Sequence, residues 1–547
     1  MDVPKNLESK ISKEVSQVTQ TLEKGGFEAY LVGGCVRDLL IGIEEPKDWD
    51  IATNAKPEEI IKLFEKTVYE NTFGTVAVCI PVVIRETKEI NVSHETEYKI
   101  IEVTPYRIET KYSDFRHPDE VKFSNKLEDD LKRRDFTINA MAYRPTFAKA
   151  SVGKNLKGHS EITDMFDGLK DIKDKVIRAV GNPDDRFRED ALRMLRAVRL
   201  ALQLDFYVAQ ETGDSISKNS NLLKEISAER IRDEFYKIVM SKNPSLGIIM
   251  LQKFGLLKNI IGELLEGIGC EQLGAHIYDV WDHSLYALAH AADKNWPLEI
   301  RLAALFHDVG KPRTRRLALP VHALRHSHSV LEGQVRSDRS EDFSKHIPAA
   351  QKKFTFYGHE VIGARMTKKI MERLKFSNKE VELVCKLVRY HMFFSDTEKI
   401  TLSAVRRIIT KIGTENIWFL MNVRECDRVG TNKKPAPYRL RKYFAMIEEA
   451  LRDPISVGAL KINGEFMIKE LGIQPGPRMG WILNALLEEV LDDPSKNTVE
   501  HLSELAKSLN LLANDALKAL GDRGKEKKEE LEEKEIEKLH TKHGVRK

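Results

Sequence analysis

Two aspartates, Asp48 and Asp50, flank a tryptophan in the run Asp-Trp-Asp-Ile. On a strand, alternate side chains point the same way, about 7 Å apart at Cα. Two such carboxylates repel; at 4 Å and an effective dielectric of 20 the cost is about 4 kcal/mol. A divalent cation removes that cost, and Mg²⁺ is held by one or two carboxylates plus substrate phosphates. Glu102, in IIEVTPY, is a candidate third carboxylate from a neighbouring strand. Upstream, Gly33 and Gly34 let the backbone approach a triphosphate, and Arg37 can pair with phosphate oxygens. A bare Asp-x-Asp is an ordinary solvated feature of an edge strand. With Gly-Gly-x-x-Arg-Asp before it, the pattern points to metal-assisted nucleotidyl transfer, the cation activating a 3′-hydroxyl and stabilising departing pyrophosphate.

A second group could read bases. In REDALRMLR, read as one helix, Arg193 lies three residues beyond Asp190 and four beyond Glu189, on a shared face. Leu192, Leu195 and Val198 turn inward on another face. Alone, such a triplet is usually a surface ion pair. Its chemistry also fits two bases: cytosine and adenine each present an exocyclic amine donor beside a ring-nitrogen acceptor. A carboxylate beside an arginine complements both, whereas uracil and guanine present the reverse order. Asp190 and Arg193 are the chosen pair, and Arg196 and Arg199 are placed to meet phosphates or carboxylates.

A third group is His283, His307-Asp308, His359 and His391. The sequence HDVGKP ends an apolar helix, which puts His307 and Asp308 near its C-terminal end. A lone His-Asp pair is usually structural; imidazoles repeated in this order with one carboxylate read instead as a divalent metal site of the His-Asp phosphohydrolase type. Such a metal generates hydroxide for attack on a phosphoester.

These residues need elements to hold them. The first 145 residues alternate β-branched runs (EAYLVGG, DWDIAT, TVAVCIPVVI, YKIIEVTPY, INAMAYRP) with helical spacing such as PEEIIKLFEK. From about residue 160 helical periodicity dominates, so the fold class is α+β: a mixed head followed by helical domains. Residues 103–119 read as a loop between Pro105 and Pro118. Residues 313–353 read as an inserted basic loop carrying His322, His326 and His328. Residues 522–547, charged and poor in apolar side chains, read as a frayed helix or a disordered tail.

Bulk numbers agree with a multidomain chain. It has 547 residues, 41% hydrophobic and 31% charged, with net charge +4. No apolar run is long enough for a membrane span. The N-terminal residues are too charged for a signal peptide. Five scattered cysteines (Cys35, Cys79, Cys270, Cys385, Cys426) form no Cys-x-x-Cys pair, which fits a reducing, cytoplasmic setting. A net charge this small leaves any nucleic-acid surface to local clusters of Lys and Arg.

Together GGCVRD, DWD, RRDFTINA and REDALRMLRAVRLA resemble the class II tRNA nucleotidyltransferases, the bacterial CCA-adding enzyme and poly(A) polymerase family. The resemblance is strongest over about residues 26–265 and extends to about 510. It implies a polymerase β-like head at 1–150 and a nucleotide-selecting, RNA-binding neck at 151–272. It further implies an HD domain at 273–430 and a C-terminal tRNA-binding region at 431–521, before the tail at 522–547. Asp48 and Asp50 would be the Mg²⁺-binding catalytic carboxylates, and Gly33, Gly34 and Arg37 would hold the triphosphate. Arg133, Arg134, Asp135 and Asn139 match the motif tied to the nucleotide's sugar and phosphates. Glu189, Asp190 and Arg193 match the family's amino-acid template. Asp427 joins the histidines as the late aspartate of HD proteins, around a divalent transition metal. The implied activity is addition of C, C and A to the tRNA 3′ end from CTP and ATP. The loop at 103–119, NAMAY and SAERIRDEFYKIV favour it over poly(A) synthesis. A phosphohydrolase with an RNA-binding head is the rival of another class. The insert at 313–353 departs from the family's spacing and puts hydrolysis at the HD site in more doubt than metal binding.

Overall fold

The computed structural model describes residues 7–43, 45–46, 48–70, 74–82, 97–110, 120–145, 161–272, 277–318, 353–392, 400–429, 438–452 and 456–545. The chain divides into two compact units, residues 1–389 and 390–547.

The first unit opens on an amphipathic helix, Lys13–Lys24, whose N-cap Ser12 accepts from Val15 N at 3.5 Å. Val15, Val18 and Leu22 recur at three- and four-residue spacing and are buried. The strands are β1 (Tyr30–Val32), β2 (Asp50–Thr53), β3 (Thr67–Glu70), β4 (Thr75–Pro81), β5 (Tyr98–Pro105), β6 (Arg107–Thr110), β7 (Glu120–Phe123), β8 (Met141–Arg144) and β9 (Glu161–Asp164). Seven of them form one sheet in the order β3-β4-β5-β2-β1-β8-β9. Every neighbouring pair is antiparallel except β2 with β5. Apolar residues on β1, β2 and β8 pack with the helix Leu127–Lys132 around Val32, Ala52, Tyr106, Leu131 and Ala142.

Three expectations about this head change. DWDIAT is not all strand: β2 begins at Asp50, so Asp48 sits just ahead of it. INAMAYRP is strand only over Met141–Arg144, because Thr137–Asn139 closes a 3-10 turn first. Within the expected loop at 103–119, residues 103–105 end β5 and Arg107–Thr110 is a strand, paired antiparallel with Glu120–Phe123 so that Ile108 faces Lys122; residues 111–119 lie outside the described residues.

Helices follow, as the periodicity requires. Pro183–Glu189, Arg193–Leu204, Ala228–Val239 and Pro244–Lys253 form the neck. Leu195, Val198, Phe235, Ile238 and Leu251 form its buried side. Further on, Val280–Asp293, Leu298–Phe306 and His359–Arg373 carry the histidines. The two ends of the expected insert meet as a short ladder, Arg316–Ala318 antiparallel to Lys353–Thr355. His322, His326 and His328 lie outside the described residues.

The second unit is helical, with a core around Ile462, Met467, Ile482, Leu486, Leu502 and Leu517. Its C-terminal segment overturns the disordered-tail expectation: Asn514–Lys542 is one helix of 29 residues. Gly521 and Gly524 let it lie directly on the helix Pro477–Asp492; a Cβ at Gly521 would stand 2.7 Å from Trp481 Cα. Charge complements that seam, with Arg523 on Glu488 at 2.7 Å, and further along Lys542 meets Glu448 of the helix Tyr438–Leu451 at 2.8 Å. Counting apolar residues missed this, because two glycines and cross-helix ion pairs replace the usual apolar stripe.

Candidate active sites

The parallel pairing of β2 with β5 sets Asp50 directly opposite Glu102. Ladder partners share a face of the sheet, so the two carboxylates stand on one side. Trp49 is buried between exposed Asp48 and half-buried Asp50, which keeps the alternation ahead of the strand. Burial pushes the Asp50 carboxyl above its ordinary range; the Arg134 guanidinium opposes this, and Asp48 and Asp130 add to it. A carboxylate that burial and like charge disfavour is a natural cation ligand.

Gly33 adopts φ 79°, a conformation strained for other residues. A Cβ there would stand 2.9 Å from Arg134 Nη1 and 3.3 Å from Asp50 Oδ2. Only glycine leaves this cradle open. Gly33→Ala should therefore cost about 1–2 kcal/mol in backbone strain. It should lower nucleotide addition by about a hundredfold, by shifting Arg134 and Asp50. Thermal unfolding and single-turnover addition separate the two effects.

The arginines are anchored by a residue that sequence reading passed over. Asp130 is fully buried; its Oδ1 accepts from Arg133 Nε at 3.0 Å and Nη2 at 2.5 Å. Its Oδ2 accepts from Arg134 Nε at 3.2 Å and Nη2 at 2.9 Å. Arg134 Nη1 is thereby turned to Gly33 and Asp50. The signal was local: Asp130 precedes the two arginines by three and four residues on a helix. Burial alone would raise Asp130, but the Arg134 and then Arg133 charges bring it below its usual value. Its folded pKa thus lies under the unfolded one near 3.9, so its contribution is complete above that pH and fades as pH falls toward the folded value. Asp130→Asn should be less stable than wild type at neutral pH. It should lose less further stability between about pH 5 and about pH 3, as read by urea unfolding.

Arg37 donates through Nη1 to Asn139 Oδ1 at 2.7 Å, and through Nε and Nη2 to Asp38 Oδ1 at 2.9 and 2.6 Å. Asn139 in turn donates to Asp135 Oδ1 at 3.2 Å. Burial would raise the buried Asp135 carboxyl, but the Arg196 and Arg193 charges hold it far below the usual carboxylate range.

REDALRMLR is not one helix. It breaks at Asp190, which is extended (φ −142°) between Pro183–Glu189 and Arg193–Leu204. Glu189 still meets Arg193, Oε2 accepting from Nη1 at 2.7 Å. Arg193 Nη2 also donates to the Arg133 carbonyl at 3.0 Å, which ties the neck to the head. Asp190 turns elsewhere: Oδ1 accepts from Leu192 N at 3.1 Å and Oδ2 from Arg230 Nη2 at 2.8 Å. Arg230 lies 40 residues further along, so no local spacing could have revealed it. Arg199 meets a carboxylate, Glu234 Oε2, at 2.7 Å.

The first unit also gathers His283, His307, Asp308 and His359, all buried. Asp308 Oδ2 lies 3.3 Å from His283 Nε2 and 3.1 Å from His307 Nε2, and Asp308 Oδ1 lies 3.3 Å from His359 Nε2. The two Nε2 atoms of His283 and His307 are 3.0 Å apart. His307 Nδ1 sits 2.7 Å from the Ala304 carbonyl, and His359 Nδ1 sits 2.8 Å from the Phe356 carbonyl. A carbonyl accepts from N–H, so each ring keeps its proton on Nδ1 and turns a lone pair at Nε2 toward the carboxylate. Converging imidazole lone pairs beside one carboxylate are the donor set of a divalent metal, with backbone carbonyls orienting the rings. Lys311 Nζ sits 2.6 Å from Asp308 Oδ2 and donates to Gln272 Oε1 at 2.5 Å. His391 and Asp427 belong to the second unit. Both are buried there, and Asp427 Oδ2 accepts from Arg424 Nη1 at 2.5 Å.

Comparisons with known proteins match families to successive, partly overlapping stretches of the chain. Residues 29–178 match the poly A polymerase head domain, and 205–267 match the probable RNA and SrmB-binding site of polymerase A. Residues 280–412 match the HD domain, and 361–506 match tRNA nucleotidyltransferase domain 2. A CCA-adding enzyme of Ligilactobacillus salivarius is 33% identical over 498 residues, covering 91% of this chain and 96% of that protein. The chain belongs to the CCA-adding enzymes. Another CCA-adding enzyme, from Levilactobacillus brevis, is 43% identical over 240 residues, which is 44% of this chain and 53% of that one. The crystal structure of the Bacillus stearothermophilus CCA-adding enzyme in complex with CTP matches with TM-score 0.51 and 25% identity, over 92% of this chain and 98% of that one. The α+β head with helical domains behind it is therefore the architecture of a CCA-adding enzyme.

Proposed function

We propose that this CCA-adding enzyme builds the tRNA 3′ end from CTP and ATP with Asp48, Asp50 and Glu102 as its catalytic carboxylates. The observation that carries this reading is Asp50 opposite Glu102, beside the open cradle of Gly33 and Arg134. Asp48, Asp50 and Glu102 would hold Mg²⁺, which supplies charge for activating the 3′-hydroxyl and for the departing pyrophosphate. Gly33 and Gly34 admit the triphosphate, and Arg37 and Arg134 face its oxygens with guanidinium donors. Asp190, steadied by Arg230, accepts from the exocyclic amine of cytosine or adenine. Arg193, steadied by Glu189, donates to the ring nitrogen. Selection needs no nucleic-acid template, because the donor and acceptor order is built into the neck.

The deciding experiment offers the purified protein a tRNA lacking its last three nucleotides, with CTP and ATP separately and together. Two added C residues with CTP alone, and a complete CCA with both, are the expected products. Long A tracts from ATP alone, with no use of CTP, would mean a poly(A) polymerase instead.

The HD cluster is a second centre in this reading, holding a divalent transition metal through His283, His307, Asp308 and His359. Asp308→Asn should lower bound metal, measured by elemental analysis of the purified protein, and leave CCA addition intact. Unchanged metal content would remove the site. The five free cysteines, none in a disulfide, support a reducing cytoplasmic location.

A further inference from the structure

We infer that Arg186 is a positioning residue for base selection, holding Arg193 in place against the head through the Glu189 carboxylate. The inference rests on the reaction assigned above. Arg186 lies on the helix Pro183–Glu189, ahead of the break at Asp190, and its side chain is 16% exposed. The guanidinium forks. Its Nη1 donates to the Lys132 carbonyl at 3.0 Å, and its Nη2 donates to Glu189 Oε1. The other carboxylate oxygen, Glu189 Oε2, accepts from Arg193 Nη1 at 2.7 Å. Arg193 Nη2 closes the ring by donating to the Arg133 carbonyl at 3.0 Å.

One carboxylate is thus gripped by two guanidiniums, and each guanidinium also grips one of two successive carbonyls of the head. Those carbonyls end the helix Leu127–Lys132, where the last C=O groups have no partner within the helix. The same segment continues into Arg134, whose guanidinium faces Gly33 and Asp50. The side chain that reads the base and the side chain that faces the triphosphate are therefore both set from one short stretch of backbone, residues 132–134. The neck helices cannot supply this alone, because the helical run breaks at Asp190, between Arg186 and Arg193. Glu189 spans that break, held by an arginine on either side of it. A misplacement of about 1 Å at a reacting geometry costs about a hundredfold in rate, so a fork that fixes a neighbour's direction acts on catalysis without touching the nucleotide. Lysine at position 186 keeps the charge but lacks the planar fork that meets carbonyl and carboxylate together.

The test uses the full-length enzyme and kcat/KM for CTP, UTP, ATP and GTP on shortened tRNA. The unfolding midpoint and the salt dependence of tRNA binding are read on the same samples. R186Q is expected to lower the preferences for CTP over UTP and for ATP over GTP about tenfold, with R186K between it and wild type. The slope of tRNA affinity against salt is expected to stay as in wild type. In a double-mutant cycle with E189Q the two losses are expected to overlap, so the double variant discriminates about as well as the weaker single one. Unchanged nucleotide preferences in a folded R186Q overturn the inference. A flatter salt slope with unchanged preferences also overturns it, making Arg186 a phosphate contact, as do losses that multiply in the double variant. If R186Q does not fold, R186K carries the same readings. Wild type is run alongside. Long A tracts from ATP alone would overturn the assigned product, while the choice of ATP over GTP still reads the role of Arg186.

Discussion

Asp50→Asn is expected to abolish nucleotide addition, by about 10³-fold or more, while tRNA binding and the unfolding midpoint stay close to wild type. The substitution keeps the side chain's shape and removes one negative charge. Asp50 faces Glu102 across the β2 and β5 ladder, and its own charge is disfavoured by burial and by Asp48. Folding therefore gains nothing from that charge; a bound cation does. Neutralising it should relieve like-charge repulsion in the protein without cation, so the variant should be as stable as wild type or slightly more so. Single-turnover addition of one C to a shortened tRNA, with urea unfolding on the same samples, reads both effects. A variant that adds nucleotide at the wild-type rate would show that another residue is the metal ligand.

The second large effect concerns selection. Asp190→Ala should reduce the preference for CTP over UTP by about 10²- to 10⁴-fold, because a polar site rejects a mismatched base by leaving buried groups unpaired. The loss should appear chiefly as slower CTP use, since the acceptor for the exocyclic amine is gone. Arg230→Lys should show the same change in a milder form, because lysine can still meet Asp190 Oδ2 but lacks the planar fork. Measured kcat/KM ratios for CTP and UTP decide it, and a ratio unchanged in both variants would remove Asp190 from base reading.

Much of the site was legible in the chain because its chemistry is written in short, local runs. Gly33, Gly34, Arg37, Asp48 and Asp50 fall within 18 residues of one another, and the structure gathers Gly33, Asp50 and Arg134 as one cradle. Glu102 was a guess from residue type, and the sheet register sets it opposite Asp50. His307 at the end of an apolar helix follows from periodicity alone.

Other parts could not be read locally. The break at Asp190 runs against good helical periodicity; it persists because Asp190 bonds Arg230 on a different helix and Leu192 N at its own turn. The C-terminal helix lacks an apolar stripe, and its fit depends on two glycines meeting the backbone of residues 481–485.

The sequence by itself determined the kinds of groups available: paired carboxylates for a hard cation, arginines for phosphate and base, imidazoles for a softer metal. Side-chain chemistry is a property of residue type and survives any arrangement of the chain. The tertiary structure decided the partners. It set Asp50 against Glu102 and Asp190 against Arg230, and it spent Asp135 on Asn139 and Arg196. Apart from Asp135 with Asn139, four residues on, those pairings join residues tens of positions apart, and only packing of the sheet and neck brings them together.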